Sequence, residues 1–84
     1  MNYTLEWTPT AINQLTLAWL AAVDRTAVSL AAHRLEEALG EQPYIGRPRN
    51  ASVNRTVTDL PLGMDFEIIE DDKKVRIVRV WSVS

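Results

Sequence analysis

The C-terminal third of the chain alternates between apolar and polar residues with a period of two, which predicts β-strands. Residues 53–58 and 64–69 show this alternation, and residues 75–81 are rich in β-branched side chains. Residues 60–63, Leu-Pro-Leu-Gly, predict a type I turn with proline second and glycine fourth. The polar run 70–74 is short enough to be the connection to the last strand. Together these segments predict a three-stranded antiparallel meander.

The first residues of the chain predict a short strand followed by a helix. Tyr3, Leu5 and Trp7 alternate with polar neighbours, which favours a strand with one apolar face. Thr8 and Pro9 are typical of a helix start, because threonine caps exposed backbone N–H groups and proline is tolerated at the first helical position. The helix is predicted to end near residue 23 and to cover the sheet with an apolar stripe formed by Ile12, Leu15, Trp19 and Val23.

A second helix is predicted from residues 25 to 39. Asp24 suits its N-cap, and Gly40 suits the left-handed residue that closes a helix. Because almost no loop separates the two helices, they should form an antiparallel hairpin. The fold class is therefore α+β in one domain, 1–84: an N-terminal strand, a helical hairpin on one face of the sheet, and the meander. The apolar stripe of the second helix is Val28, Ala31, Ala32, Leu35, Ala38 and Leu39.

The amino-acid composition excludes several classes of function. The chain has no cysteine, which excludes a disulfide, a thiolate nucleophile and a cysteine-based metal site, and fits a cytoplasmic protein. A net charge of −2 argues against binding nucleic acid through overall positive charge. No apolar run approaches the roughly 20 residues of a membrane helix. The acidic run 70–72 adjoins two lysines in a hairpin tip, so neither a metal nor another cofactor is predicted.

Residues 41–51 form a loop rich in turn formers and arginine. Arg47, Arg49 and Arg55 are candidate phosphate-binding residues, because no acidic residue occurs between Glu41 and Asp59. A guanidinium group stays charged at neutral pH and binds phosphate through two hydrogen bonds. The alternative is a solvated loop followed by an ordinary arginine at the start of a strand.

Arg79 and Trp81 are the candidates within the last strand. Strict alternation across residues 75–81 puts both on the face away from the helices, and points Val78 and Val80 towards the helices. A cation beside a flat ring can bind and stack on a nucleotide.

More ordinary roles compete for these residues. Arg79 could pair across the sheet with Asp65 or Glu67, with Trp81 as packing at the rim. His33, the only histidine, lies on the side of the second helix away from its apolar stripe. It is therefore predicted to be a surface residue remote from the open face of the sheet, and not a general base.

In this order, the segments resemble the RelE/ParE family of small toxins from bacterial type II toxin–antitoxin modules, the plasmid stabilisation type. The resemblance is carried by Gly46-Arg47, by Arg55, and by the segments 62–68 and 75–81. It implies a curved antiparallel sheet packed against two helices, and a cytoplasmic protein that is neutralised by an antitoxin. Members of the family either cleave messenger RNA on the ribosome or inhibit DNA gyrase.

The resemblance leaves open whether this chain is an enzyme. If active as an mRNA interferase, it would be a metal-independent endoribonuclease that causes growth inhibition. Many members have a Tyr-Arg pair where this chain has Leu62-Gly63, and a histidine where it has Ser82. These departures favour the alternative, a non-catalytic protein-interaction or dimerisation module of the same fold. A homodimer would also protect the exposed edges of a small sheet.

Overall fold

The computed structural model describes residues 2–48 and 53–83 and confirms the α+β fold. One sheet has the strand order β1-β5-β4-β3-β2, with β1 parallel to β5 and all other neighbours antiparallel. Besides β1 and the three strands of the meander, the sheet contains β2, a two-residue segment of the predicted loop. The elements are β1 (Thr4–Trp7), α1 (Pro9–Ala21), α2 (Arg25–Glu41), a 3₁₀ turn (Pro43–Ile45), β2 (Arg47–Pro48), β3 (Arg55–Asp59), β4 (Leu62–Ile69), a second 3₁₀ turn (Glu70–Asp72) and β5 (Lys74–Ser82).

Both helices begin at their predicted caps. The Thr8 hydroxyl accepts the N–H of Ala11 at 3.2 Å and donates to the carbonyl of Ile77 at 2.9 Å, so this cap also fixes α1 to β5. The Asp24 carboxylate accepts the N–H of Ala27 at 3.1 Å. These caps satisfy backbone donors that the first helical turn leaves without partners.

The two helix ends differ from the prediction. α1 ends at Ala21, before Val23. Gly40 does not close α2 in a left-handed conformation, because the helix continues to Glu41 and no glycine among the described residues has a positive φ. The buried carbonyl of Gly40 instead accepts the N–H groups of Asn2 and Tyr3, at 3.0 and 2.8 Å. This glycine therefore attaches the start of the chain to the end of α2.

The core lies between the helices and one face of the sheet, and the two helices contribute to it unequally. α2 buries five of the six residues of its predicted stripe, including Val28, Leu35 and Leu39, and leaves Ala38 half-buried, whereas α1 buries only two alanines. Small residues let α1 lie close to β5, where the cap at Thr8 also holds it. The buried apolar residues are Ala11, Ala18, Val28, Ala31, Ala32, Leu35, Leu39, Leu62, Met64, Phe66, Val75, Ile77 and Val80.

The stripe predicted to bury α1 is largely exposed. Ile12 and Trp19 follow Ala11 and Ala18 by one residue, so they lie about 100° further round the helix. Their exposed fractions are 49% and 38%, and Val23 beyond the helix is fully exposed. Of the predicted stripe only Leu15 packs against the core, so the prediction that these residues cover the sheet was wrong.

A β-bulge shifts the phase of β5. Phe66 pairs with Ile77, whereas the residue before it in β4 pairs with Arg79, which leaves Val78 as the extra residue. Ile77 therefore faces the core on one side of the bulge and Val80 on the other. The prediction for Val80 is confirmed. The prediction that Val78 packs against the helices was wrong, since the bulge leaves it half-buried while Ile77 takes the core position.

The turn between β3 and β4 is tighter than predicted. Asp59 pairs directly with Leu62, so only Leu60 and Pro61 connect the strands, and the peptide bond between them is cis. Pro61 takes the third position of the turn and not the second. Gly63 lies within β4 and not at the end of the turn, so the predicted type I turn was wrong.

Glu70, in the connection between β4 and β5, joins three distant parts of the chain. Its Oε2 accepts the hydroxyl protons of Tyr3 at 2.9 Å and Tyr44 at 2.7 Å, and Lys73 forms an ion pair with its other oxygen. These hydrogen bonds, with Lys73 first, lower the pKa of Glu70 from 4.5 to about 2. One carboxylate thus fixes the N-terminus and the segment after α2 to the sheet.

In a Glu70→Gln variant, the free energy of unfolding should fall less between pH 4.5 and pH 2 than it does in the unmodified protein. Because the folded-state pKa is below the unfolded value, the carboxylate stabilises the fold fully above pH about 4.5 and loses this contribution as the pH falls towards about 2. Thermal unfolding followed from pH 7 to pH 2 measures this difference. Glu41→Gln, which changes an exposed carboxylate, is the control. Equal loss of stability at acid pH in the two variants would contradict the stabilising role of the Glu70 carboxylate.

Candidate functional site on the open face of the sheet

We call the face of the sheet away from the helices the open face. On one half of this face, the charged side chains form ion pairs with one another. Arg76 of β5 contacts Glu6 of β1 at 2.7 Å and Glu67 of β4 at 3.0 Å. Lys74 adds a contact of 3.3 Å to Glu6. The carboxylates neutralise both cations, and the contacts to Arg76 hold the pKa of Glu6 below its usual value. This half therefore ties β1, β5 and β4 together.

The other half carries a row of polar residues across four strands. Arg47 of β2 pairs with Thr56 of β3, Thr56 with Asp65 of β4, and Asp65 with Arg79 of β5. We call these four residues the arginine row. Three strand spacings separate the backbones of Arg47 and Arg79, which is about 14 Å at 4.7–4.9 Å per strand. The two guanidinium groups therefore flank a central hydroxyl and carboxylate.

Asp65 is the one buried charged residue in the described part of the chain, with an exposed fraction of 2%. Its Oδ1 accepts the hydroxyl of Thr56 at 2.7 Å, and its Oδ2 lies 3.4 Å from Nη2 of Arg79. A buried carboxylate is stable only when it is paired and hydrogen-bonded, which gives Thr56 and Arg79 their structural role. Of the two predicted alternatives, Asp65 and not Glu67 is therefore the partner of Arg79.

Arg79 keeps a second, accessible side. Its side chain is 54% exposed, and its guanidinium carbon lies 5.0 Å from the centre of the Trp81 ring. The predicted association of Arg79 with Trp81 on the open face is thus present. The β-bulge at Val78 makes this association possible. Because of the extra residue, Arg79 lies on the open face although Ile77, two residues earlier, faces the core.

Trp81 lies flat on Gly63, its partner on β4. A Cβ atom at Gly63 would approach three atoms of the indole ring to 2.5–2.7 Å, so the missing side chain provides the space for the ring. An aromatic residue that covers a strand glycine also shields the backbone from water. Gly63 therefore serves to place Trp81, a role that could be found by pairing glycine and tryptophan across the hairpin.

Replacing Gly63 with alanine should displace the Trp81 ring and destabilise the fold by about 1–3 kcal/mol, a typical cost of overpacking. Tryptophan fluorescence and urea unfolding measure the two effects. Thr58→Ala, on the exposed neighbour across from Gly63, adds no atom and is the control. An unchanged spectrum and an unchanged unfolding midpoint in Gly63→Ala would contradict this packing.

Arg55 does not belong to the arginine row. It pairs with core-facing Phe66, so its side chain lies on the opposite face from Thr56. Its guanidinium donates to the carbonyl of Gly46 at 2.8 and 3.2 Å and lies 5.3 Å from the Tyr44 ring. Arg55 therefore does not share the open face with Arg79 and Trp81, because adjacent strand residues alternate between faces. Arg49 lies outside the described residues.

The arginine row can bind an anion, and Trp81 beside Arg79 can stack on a planar ring. Arginine keeps its proton at neutral pH, and the carboxylate of Asp65 is engaged with Thr56 and Arg79. His33 is exposed on α2 and pairs with Glu37 at 2.7 Å, which confirms its predicted surface position. The arginine row and the adjacent Trp81 therefore support the binding of an anionic or planar ligand.

Residues 2–48 and 53–83 contain no group of three or more histidine or acidic side chains placed to hold a metal ion. No helix in the same ranges has the length and apolarity needed to span a membrane.

Solved structures share this architecture over nearly the full chain. The toxin–antitoxin complex RelBE2 from Mycobacterium tuberculosis matches with a TM-score of 0.80 at 19% identity, covering 98% of this chain and 99% of that chain. The chromosomal ParDE system of P. aeruginosa matches with a TM-score of 0.74 at 19% identity, covering 99% and 98%. The intact RelBE complex of E. coli matches with a TM-score of 0.69 at 15% identity, covering 98% of both chains.

This chain has the RelE/ParE toxin fold. The resemblance found in the sequence is thereby confirmed at the level of the fold, including the helical hairpin on one face of the sheet. No protein-family profile matches the sequence, and no curated protein sequence matches it.

On this RelE/ParE fold, the side of α1 away from the sheet is apolar and exposed. We call it the outer face of α1, formed by Ile12, Thr16, Trp19 and Leu20, and the exposed Val23 follows just beyond the end of the helix. A groove of about 350 Å³ runs beside it between α1 and α2, and Leu15, Trp19, Val28 and Ala32 contribute its apolar lining. The 13-residue helix contains no charged side chain. Large exposed apolar surfaces on small proteins usually mark interaction sites.

Proposed function

We propose that this chain is the toxin-like component of a type II toxin–antitoxin module and binds a cognate antitoxin in the cytoplasm. The observation that carries this proposal is the uncharged, apolar outer face of α1. The match to RelBE and ParDE structures supports it, since those structures contain proteins named as toxin–antitoxin systems. A domain of 84 residues has a modest stability of about 4–12 kcal/mol, so covering this face would also stabilise it.

An amphipathic helix of the antitoxin suits the groove between α1 and α2. Such a segment places apolar residues at every third or fourth position into a hydrophobic groove. Trp19 is the natural anchor, because it lines the groove and is partly exposed. Large aromatic residues contribute a disproportionate share of binding energy at interfaces.

The target is an anionic or nucleotide-containing partner bound at the arginine row. Arg47 and Arg79 would hold phosphate, and Trp81 would stack on a base. Ribosome-bound messenger RNA meets this description, as an interferase would require, and gyrase bound to DNA does so as well. The chemistry of the described row favours inhibition by binding over RNA cleavage.

A second candidate is a non-catalytic interaction module of the same fold. It is favoured by one observation: where many family members carry a Tyr-Arg pair, Leu62 packs in the core and Gly63 packs against the Trp81 ring, so both positions are used for packing here. In this case the outer face of α1 would still bind a protein, but the arginine row would have no target.

Induced expression tests the two candidates. The chain is expressed alone and together with the neighbouring short reading frame, and growth and messenger RNA cleavage are followed. A toxin should stop growth alone and lose this effect with its antitoxin. Normal growth at a verified level of soluble protein would reject the toxin role and leave the interaction module.

A further inference from the structure

The charges that flank the outer face of α1 have opposite signs at its two ends. At one end the guanidinium of Arg25 lies 4.7 Å from the Trp19 ring. At the other end Glu36 lines the groove and accepts a hydrogen bond from the Trp7 indole at 3.4 Å. Arg25 and Glu36 are eleven residues apart on α2, which is about 16 Å at 1.5 Å per residue.

We propose that, in the absence of antitoxin, a second copy of this chain covers the outer face of α1 in an antiparallel dimer. The proposal rests on the proposed function in that the second copy and the antitoxin would use one surface. In a two-fold interface the same patch faces itself. A two-fold axis midway between Arg25 and Glu36 brings each Arg25 next to Glu36 of the second copy. The dimer then contains two equivalent ion pairs around an apolar centre.

The lack of charge on α1 favours a second copy of this chain as the partner that covers the outer face of α1. A charged residue near the axis of a two-fold interface would oppose its own copy, and like charges across an interface are strongly unfavourable. Pro9–Ala21 contains no charged residue, so α1 itself contributes no such repulsion. On the α2 side of the groove, His33 is paired with Glu37 of the same helix at 2.7 Å. Asp24, the other charge at the Arg25 end, is directed into the N-terminus of α2, where it accepts the N–H of Ala27.

The dimer would have a regulatory consequence. Because the antitoxin and the second copy occupy the same groove, the antitoxin must displace one copy to bind the other. Dimerisation therefore lowers the apparent affinity for antitoxin as the concentration of the chain rises. The arginine row lies on the opposite side of the molecule and stays accessible in the dimer.

Charge reversal combined with sedimentation equilibrium tests the ion pairs. The unmodified chain should sediment as a dimer at high concentration and dissociate on dilution. Arg25→Glu should weaken the dimer about tenfold or more, because it places two like-charged pairs in the interface. Arg25→Glu combined with Glu36→Lys should restore most of the affinity, which a folding defect could not do. A monomer at every concentration, or a dimer unaffected by Arg25→Glu, would overturn the proposal.

A single introduced cysteine tests the geometry, since the natural chain contains none. Thr16 is exposed, lines the groove and lies near the proposed axis. Thr16→Cys should therefore form a disulfide-linked dimer under mild oxidation, because its two copies approach each other. Asp71→Cys, in the exposed connection between β4 and β5, should stay monomeric. Equal cross-linking of both variants would overturn the arrangement.

These measurements need neither an antitoxin nor a growth assay, so the two proposals fail separately. A monomeric chain that arrests growth and binds an antitoxin overturns the dimer and leaves the proposed function in place. A dimer with rescue by the double variant supports the interface, even if induced expression shows no growth arrest.

Discussion

Phe66→Ala is expected to destabilise the protein by about 3–5 kcal/mol, the typical cost of removing a buried phenylalanine. Phe66 is fully buried at the centre of β4, between Arg55 of β3 and Ile77 of β5. Because a chain of this size is stable by only about 4–12 kcal/mol, this loss should remove about a quarter or more of its free energy of unfolding. Urea unfolding followed by circular dichroism measures the loss. Ile45→Ala, at an exposed apolar residue nearby, should cost far less.

The contact between Phe66 and Gly46 allows a sharper test. A Cβ atom at Gly46 would lie 2.5 and 2.8 Å from two atoms of the Phe66 ring, and the ring cannot move because it is buried. Gly46→Ala alone should therefore destabilise the fold. In the Phe66→Ala background the same change should cost less, since the added methyl group enters the space that the ring has left. Equal costs in both backgrounds would contradict the contact.

Arg79→Ala is expected to abolish growth inhibition if the chain is a toxin that acts through the arginine row. Hydrogen bonds to a charged group contribute about 1.5–3 kcal/mol, so target binding should fall roughly 10- to 100-fold. Arg79→Lys should recover little of this, because an ammonium group lacks the two parallel donors of guanidinium. Growth after induction and retention on single-stranded RNA measure the effect, with urea unfolding to verify the fold.

Arg76→Ala is the matched control for Arg79→Ala. Both arginines lie on the open face of β5, but Arg76 is held between Glu6 and Glu67. Its loss should change stability and leave target binding nearly unaltered. Arg55→Ala should behave in the same way, since Arg55 donates to the carbonyl of Gly46 on the other face. Growth arrest that survives Arg79→Ala but not Arg76→Ala would place the active surface on the other half of the sheet.

The sequence was sufficient to locate three strands and both helix starts, but not the helix ends, the turn between β3 and β4, or the short strand β2. Alternation with a period of two located β3, β4 and β5, and the cap residues Thr8 and Asp24 located the helix starts. These signals are local, because they depend on neighbouring residues and on backbone groups within one turn. The candidate residues Arg79 and Trp81 were found in the same way, from a cation and a ring two positions apart on one strand.

Tertiary structure decided which faces those elements present. One extra residue at Val78 reverses the phase of β5, and no periodic pattern in the sequence reveals it. The apolar stripe on α1 is present as predicted, but close packing of Ala11 and Ala18 on β5 turns it outward. The separation of Arg55 from Arg79 and the place of Trp81 over Gly63 follow from strand pairing. The sequence by itself determined the local preferences, whereas burial and register depend on contacts between residues distant in the chain.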